Sequence, residues 1–587
     1  MIKKLISGIF IFATMFANSQ VLPTERSTDW TLAGLKTELP VITETIDFVE
    51  AGGDPTGVVS GSALLNSIID EYAEDITEIF FPEGIYFFDE TVILPSNFTL
   101  NGASANETTL KFDLGGANLD LIQVVGERTA LTTEITTTIE KNNLACVVVD
   151  TDLFEAGDWV LFIDNDSSFV TSAWAEGSTG QIMQINEISG DSIYFDSPFR
   201  RDYYLENDPY LVKLEMKENV SIQNLKIQRL DATDGQTDNI SFRYATNCQV
   251  KCIESDKCNF GHVVMQFSSN CQVKGSYFYD GHDYGGGGKA YGVVCQFATS
   301  ECLVTDNNFK HLRHSMLLQA GANGNVYSYN YSKDPFWTDV ALPANSAGDL
   351  VLHGNYVYAN LFEGNIIQNI VIDDSHGING PHNTFFRNRA ELYGIFMNSS
   401  PATDSQNFMA NEIPNTGFLL GLYAIVGEDH FTYGNNHRGD TKPEGTNDIT
   451  QTTLYLEEVI PFYYPSYSAW PPIGYPNELN DHNNEALNNY LEGMEIQCEN
   501  LYEDLGIQTN NTNLLLYPNP TSGNVTLEMN GTIGLVEVYS LTGVLVKSYS
   551  INSTKAKLKM NDLPKGVYLI KVNTTKNSTF WQKLVID

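Results

Sequence analysis

One stretch of this sequence gathers eight ionisable residues whose types could transfer protons and stabilise a negative charge. Six of the eight are potentially cationic, in a chain with 73 acidic and 33 basic residues and a formal net charge of −40. Histidine can act as base or acid, arginine can neutralise an anion, and aspartate can orient a histidine. Convergence of such groups is typical of a reactive site. The eight residues are His311, Arg313, His314, Asp373, Asp374, His376, His382 and Arg387.

Several of these residues lie next to short apolar segments that end in a polar residue. Successive side chains of a strand point to opposite faces, so the polar end points away from an apolar core. If the segments stack as parallel strands, their ends form one outer column beside a groove, which suits an extended ligand. The column consists of Gln266, Gln296, Gln319, His353, Asp373 and Asn398.

A glycine-rich loop precedes one of these segments. Four consecutive glycines at 285–288 are followed by Lys289 and Tyr291. Because glycine lets the backbone approach a ligand closely, we expect Lys289 and Tyr291 to contact a ligand in the groove. A phosphate-binding loop would need a helix after the glycines, whereas a strand-like segment follows here.

The elements that must position these residues form a repeat between about residues 220 and 438. A period in the low twenties predicts a solenoid, in which each coil buries its apolar face against the next. Turns of a β-sandwich would recur every 8 to 12 residues or so and would not hold one phase. Three cysteines, Cys248, Cys271 and Cys302, open similar phrases and predict one position on successive coils. A turn asparagine marks each coil: Asn308, Asn330, Asn365, Asn388, Asn411 and Asn435.

Four segments stand apart from the repeat. Residues 1–20 have the lysines, the apolar run and the small-residue cleavage site of a signal peptide. Residues 62–73 have apolar positions at helical spacing and predict a capping helix. Residues of about 120–208 break the rhythm and predict an inserted β subdomain. Residues 456–512, rich in Tyr, Pro and Asn, predict a terminal cap and linker.

Two parts of the chain resemble known families. The segments 46–54, 80–86 (FFPEGIY) and 100–102 (LNG) resemble the opening of pectate-lyase-like β-helix enzymes. The resemblance implies an all-β fold with a right-handed parallel β-helix over residues 21–455, acting on polysaccharide. Residues 513–587, with YPNP at 517–520 and LPKGVY at 563–568, resemble the C-terminal sorting domain of type IX secretion in Bacteroidetes. We expect this tail to fold as a small C-terminal β-sandwich, and carbohydrate binding is the alternative to a sorting role.

The amino-acid composition limits the classes of partner that this protein is expected to bind. The negative charge argues against nucleic acid or an anionic membrane, because both would be repelled. The N-terminal apolar run is shorter than a membrane span requires. We therefore expect a secreted or cell-surface protein whose partners are the type IX secretion machinery and an acidic polysaccharide held by local cations. A surface this acidic is also typical of a salty, marine habitat.

Two reactions suit such a groove. β-Elimination from a uronic acid needs a cation on the carboxylate, a base for the C5 proton and an acid for the leaving oxygen. Hydrolysis needs two carboxylates about 5 to 10 Å apart, and Asp373 with Asp374 or Glu363 could supply them. The abundance of His and Arg favours a lyase that cleaves a uronic-acid-containing polysaccharide. A glycoside hydrolase or a uronate-oligosaccharide dehydratase is the alternative, and a glycan-binding surface adhesin ranks third.

The lyase interpretation assigns roles to these residues. His353 or His376 acts as base or acid, and Arg313 or Arg387 neutralises the substrate carboxylate. Asp373 orients a histidine. The candidate catalytic residues are thus His353, Asp373, His376, Arg313 and His314.

The remaining candidates bind substrate or metal. Asp373 with Asp374 could hold a Ca²⁺ ion, which is the one cofactor that the residues suggest. The candidate substrate-binding residues are Gln266, Lys289, Tyr291, Gln296, Gln319, His382, Arg387 and Asn398.

Overall fold

The computed structural model divides into two units, residues 1–496 and 497–587. It describes residues 21–284, 287–336, 348–397, 399–456, 470–477, 482–494, 496, 515–517, 519, 521, 523–540, 545–574 and 579–586. The predicted signal peptide and Asn398 lie outside the described residues, as does most of the predicted cap and linker. Within the described part, no helix is long and apolar enough to cross a membrane.

The first unit is a right-handed parallel β-helix, as predicted, with its strands in three columns. The first column is a 12-stranded parallel sheet. Its strands are Glu44–Asp47, Thr77–Phe81, Phe98–Gly102, Ser221–Gln223, Gln249–Lys251, Gln272–Lys274, Leu303–Thr305, Val326–Ser328, Leu361–Glu363, Thr384–Phe386, Asn407–Met409 and Phe431–Tyr433.

The second and third columns are continuous with one another, because two long strands, Ile366–Ile372 and Arg389–Met397, take part in both. The other strands of the second column are Thr56–Ser60, Gly84–Phe88, Thr108–Phe112, Lys226–Arg229, Glu254–Cys258, Tyr277–Gly281, Asn308–Lys310, Tyr331–Lys333, Glu412–Ile413 and Asn435–His437. Those of the third column are Val92–Ile93, Ile122–Val125, Ile240–Arg243, Gly261–Gln266, Tyr291–Gln296, His314–Leu318, Leu350–Leu352 and Leu422–Ala424. Asp440–Lys442 adds an antiparallel strand at the end.

The core lies inside the coils and follows the alternation of the strands. In Gly261–Gln266, Val263 and Met265 belong to the main hydrophobic core, whereas Val264 packs in a separate cluster on the outside. The helix Ser62–Glu71 buries Leu65, Ile68 and Ile69 in the same core, which fits the predicted capping role. A second helix, Glu485–Leu491, packs outside the core.

Stacked turn residues bind the coils together. Cys248, Cys271 and Cys302 are fully buried and directly precede three neighbouring strands of the first column, so the prediction that they stack is confirmed. In the predicted asparagine row, each side-chain amide donates to the Oδ1 of the next asparagine, at 2.9–3.1 Å. The row begins at Asn307 and not at Asn308 as expected, because Asn308 is the first residue of a strand.

A six-stranded antiparallel sheet interrupts the β-helix between two coils. It spans residues 127–215, where the sequence indicated about 120–208. Phe162, Phe199 and Tyr203 pack in its own core. Its strands are Glu127–Glu134, Ala145–Val147, Trp159–Ile163, Gln181–Ser189, Ser192–Phe195 and Tyr210–Glu215. We call residues 127–215 the inserted subdomain.

The second unit contains a five-stranded sheet whose described pairings are antiparallel. Its strands are Leu515–Tyr517, Asn524–Ser540, Leu545–Lys559, Gly566–Thr574 and Thr579–Ile586. Val525, Val536 and Ile570 lie in its core, which is separate from that of the β-helix.

Candidate active site

A groove of about 1050 Å³ runs over the outer face of the third column. It contains most of the predicted site residues. Those that line it are Gln266, Tyr291, Gln296, Arg313, Gln319, His353, Asp373 and His376.

The strand register explains why the polar strand ends meet here. Gln266 pairs directly with Gln296 on the next strand. The backbone N–H groups of Gln319, His353 and Asp373 donate to carbonyls at or next to the end of the preceding strand, namely those of Cys295, Leu318 and Leu352. The Gln319 amide also donates to Gln296 Oε1. The predicted column is therefore a continuous row on the groove wall from Gln266 to Asp373.

His353 and Asp373 form a buried hydrogen-bonded pair in this row. Nδ1 of His353 lies 2.6 Å from Oδ2 of Asp373, and the residues are 7% and 1% exposed. The same carboxylate accepts bonds from the N–H and the hydroxyl of Ser375, at 3.0 and 2.9 Å. Because a carboxylate can only accept, Nδ1 carries a proton, and in the neutral form of the ring Nε2 is the nitrogen with the lone pair.

Two further histidines pack against His353. The ring of His376 lies 4.8 Å from that of His353 in an edge-on arrangement, and the ring of His314 lies 5.8 Å away. Burial is the main cause that lowers the pKa of His376 and of His314, and the neighbouring His353 lowers it further. Both rings are therefore neutral near pH 7. His314 is fully buried, and its Nδ1 bonds to the carbonyl of Gly348 at 2.7 Å. It supports the site from behind, whereas His376 faces the groove.

Arg313 and Tyr291 bring a cation and a phenol to the same wall. Burial raises the pKa of Tyr291, and the charge of Arg313 partly opposes this shift. Arg313 also lowers the pKa of His314 and of His376, so its guanidinium acts on all three groups. The Tyr291 ring lies 4.9 Å from that of His314. Arg313, which lines the groove, therefore supplies positive charge to the cluster.

Asp374, the neighbour of Asp373, is occupied elsewhere. Its Oδ1 accepts from the backbone and amide nitrogens of Asn379, at 3.0 and 2.8 Å, and from the Thr403 hydroxyl. Its Oδ2 accepts from the Thr403 N–H at 2.9 Å. All four oxygens of Asp373 and Asp374 already accept hydrogen bonds, and a Ca²⁺ ion at this pair would compete with those donors. Elsewhere in the described ranges, no group of three or more His, Cys, Asp or Glu residues is placed to hold a metal.

Three other predicted site residues have structural contacts elsewhere. Nδ1 of His382 lies 3.3 Å from the ammonium of Lys141, and burial together with Lys141 lowers the pKa of His382 to about 4. Arg387 donates three bonds to carbonyls of the returning chain at Gln451 and Pro476. Lys289 donates to the carbonyl of Thr233 at 3.1 Å. None of these three residues lines the groove, and Asn398 lies outside the described residues.

The groove also contains residues that no pattern in the sequence marks. Trp174 comes from the inserted subdomain, and Phe260 and Phe297 add aromatic surface. Asp238 is buried at the far end of the groove, where burial and then Asp120 raise the pKa of its carboxyl well above the usual range. A tryptophan in a loop rich in Ser, Gly and Ala was the one signal that could have marked Trp174.

Two family models match parts of the chain. Residues 46–261 match "Rhamnogalacturonase A/epimerase, pectate lyase-like", and residues 515–587 match "Secretion system C-terminal sorting domain". No curated protein is significantly similar in sequence.

Several solved structures are similar to this chain. The tailspike protein gp49 from Pseudomonas phage LKA1 is 14% identical, with a TM-score of 0.46 over 62% of this chain. The match covers 64% of that tailspike, just under two thirds of its length. A Thermotoga maritima exopolygalacturonase is 10% identical (TM-score 0.33, 69% of this chain and 90% of that one). The Azotobacter vinelandii mannuronan C-5 epimerase AlgE4 A-module is 12% identical (TM-score 0.30, 68% and 92%).

The sorting domain indicates export to the cell surface or the medium. The repeat, the strand register and the two family matches agree with the resemblances seen in the sequence. The chain therefore combines a pectate-lyase-like parallel β-helix domain with a C-terminal sorting domain of a secretion system.

Proposed function

We propose that the β-helix cleaves a uronic-acid-containing polysaccharide outside the cell by β-elimination, with His353 as the base. The observation that carries this proposal is the buried His353–Asp373 pair beside Arg313 in an open polar groove. Asp373 holds the imidazole with Nε2 as its free acceptor, and Arg313 supplies the cation that a uronate needs. A polyanionic substrate requires such a local cation in a chain of net charge −40.

Three side chains carry out the proposed reaction. His353 Nε2 takes the C5 proton, which Arg313 makes more acidic by neutralising the carboxylate on C5. The electron pair of the C5–H bond forms the C4–C5 double bond, and the C4–O bond breaks. Tyr291 gives its proton to the departing oxygen. Its raised pKa keeps the phenol protonated until that moment.

Hydrolysis has less support because the groove offers no pair of close carboxylates in its described part. Asp374 is bonded away from the groove, and Glu363 is buried in the first column against Tyr329. The other groove carboxyl, Asp238, lies five strands before Asp373 in the third column. At about 4.8 Å a strand this is roughly 24 Å, well beyond the 5 to 10 Å or so that paired-carboxylate hydrolysis uses.

One assay tests the reaction. The mature protein is incubated with alginate, pectate, ulvan and glucuronate-containing fucan, while ultraviolet absorbance and reducing ends are followed together. Elimination produces an unsaturated uronate that absorbs, and hydrolysis produces reducing ends alone. Absorbance without shortening of the chain would indicate a dehydratase acting on chain ends. Binding with neither signal would indicate an adhesin.

A further inference from the structure

The inserted subdomain contributes one exposed aromatic side chain to the groove. Trp174 lies in the short 3₁₀ turn Ala173–Ala175 and is 46% exposed. Its ring packs edge-on against His376, with centroids 6.2 Å apart, and against Phe297 at 6.0 Å. His376 in turn contacts His353. An open indole face is therefore one ring removed from the proposed base.

Phe297 extends this aromatic surface along the groove. It follows Gln296 and stacks on Phe267 at 5.5 Å, and Phe267 stacks on Tyr244 at 5.1 Å. The row of glutamine amides thus runs beside a row of rings. Amides can bond sugar hydroxyls, while rings can cover the apolar C–H face of a pyranose.

The loop that carries Trp174 is held in place. The Asp166 carboxylate accepts the backbone N–H groups of Gly177, Ser178 and Thr179, at 2.9–3.2 Å. Ala175 is fully buried in a cluster with Val170 and Ala320.

The inserted subdomain is also pinned to the coils beneath this loop. Arg200 forms a buried ion pair with Glu301, and the Thr171 N–H donates to the Asn355 side chain at 3.2 Å. At Gly321 an added Cβ would meet the carbonyl oxygen of Ser178 at 1.9 Å, so backbone touches backbone. The aromatic surface is preformed, and no loop closure is needed to present it.

We propose that Trp174, with Phe297, forms a sugar-binding subsite that stacks on the pyranose next to the one whose C5–H faces His353. The subsite selects pyranoses that present an unobstructed C–H face and fixes which linkage lies over the base. This inference rests on the proposed function for the nature of its ligand, a polysaccharide chain.

Binding without turnover tests the subsite. Tetra- to hexasaccharides of pectate, alginate, ulvan and glucuronate-containing fucan are titrated against His353→Ala protein by calorimetry. Adding Trp174→Ala should weaken the best of these affinities about tenfold, the equivalent of one aromatic contact of about 1.4 kcal/mol. Adding Trp174→Phe should retain most of the affinity. Tyr194→Ala removes an aromatic of similar exposure (41%) from the same subdomain and should change nothing.

Kinetics separate this proposal from the proposed reaction. In the otherwise native protein, Trp174→Ala should raise KM about tenfold and change kcat little. If unsaturated product forms and both KM and Kd are unchanged in Trp174→Ala, the subsite is overturned while the lyase stands. If no unsaturated product forms but Trp174→Ala still weakens binding, the subsite stands and the lyase falls. If none of the oligosaccharides binds, the subsite proposal is overturned.

Discussion

Replacing Asp373 by asparagine tests whether this carboxylate acts through His353. The asparagine side chain would have one acceptor oxygen where Asp373 now accepts three bonds, so either His353 Nδ1 or Ser375 loses its partner. The variant would also lose the negative charge that stabilises the imidazolium formed when His353 takes a proton. For charge centres roughly 4 Å apart at an effective dielectric constant of about 20, this is about 4 kcal/mol. We therefore expect kcat/KM to fall by about 10² to 10³.

A double-mutant cycle with His353→Ala makes this prediction decisive. If Asp373 works only by orienting and stabilising His353, the double variant should be no slower than His353→Ala alone, within about threefold. The assay is the initial rate of ultraviolet absorbance on the polysaccharide that the native protein cleaves best. Effects that multiply in the double variant would contradict this role, because Asp373 would then act on the substrate directly, as in a hydrolase.

The adjacent carboxylate provides a matched control. Asp374→Asn changes the same chemical group one residue away, but Asp374 bonds to Asn379 and Thr403 and not to His353. We expect a lower melting temperature with kcat close to that of the native protein. If this variant lost activity like Asp373→Asn while remaining folded, the assignment of the two carboxylates would be wrong.

Four further predictions concern the site, the coils and export. Arg313→Ala should lower kcat/KM about a hundredfold, with Arg313→Lys restoring part of it, and equal rates on all three proteins would contradict the proposed role. Asn330→Ala should cost about 2–4 kcal/mol in a denaturant titration, because the backbone and amide N–H groups of Asn307 lose their acceptor. Burial lowers the pKa of His262 from 6.5 to about 3, so the free energy of unfolding should fall as pH drops through this window, since only the unfolded chain gains the proton. His262→Gln should flatten that slope, and an identical slope would count against it. Deleting residues 515–587 should stop delivery to the cell surface in the native host and leave the activity of the β-helix intact, as fractionation and the lyase assay can check.

Most of the fold and the central row of the site could be predicted from the sequence. Alternation within a strand decides which residues face outward, and the coil period decides which of them stack. Together these two periods place Gln296, Gln319, His353 and Asp373 in one row without any tertiary information. Asp374 follows the end of the strand, where alternation no longer fixes direction, so only the structure could show its bonds to Thr403.

The column to which a strand belongs explains why two predicted site residues, His382 and Arg387, lie outside the groove. His382 precedes and Arg387 follows Thr384–Phe386, a strand of the first column, whereas the groove lies over the third. Their position within the coil repeat places them in the first column, although they lie close to Asp373 in sequence. Trp174 is a different case, because its place depends on contacts between residues more than a hundred positions apart, such as Arg200 with Glu301. The inserted subdomain has no repeat, so its sequence does not show which coil the Trp174 loop packs against.

The way the inserted subdomain joins the β-helix has an evolutionary consequence. The chain leaves the coil after Val125 and returns after Glu215, and Glu127 pairs directly with Glu215. The last coil strand before the insertion, Ile122–Val125, pairs with Ile240–Arg243 of the next coil, and the first-column strand after it, Ser221–Gln223, pairs with Phe98–Gly102 of the coil before. Because entry and exit coincide, a different module could be exchanged at this point without disturbing the coils. A different module at this point would replace the loop that carries Trp174 and would leave the row from Gln266 to Asp373 in place.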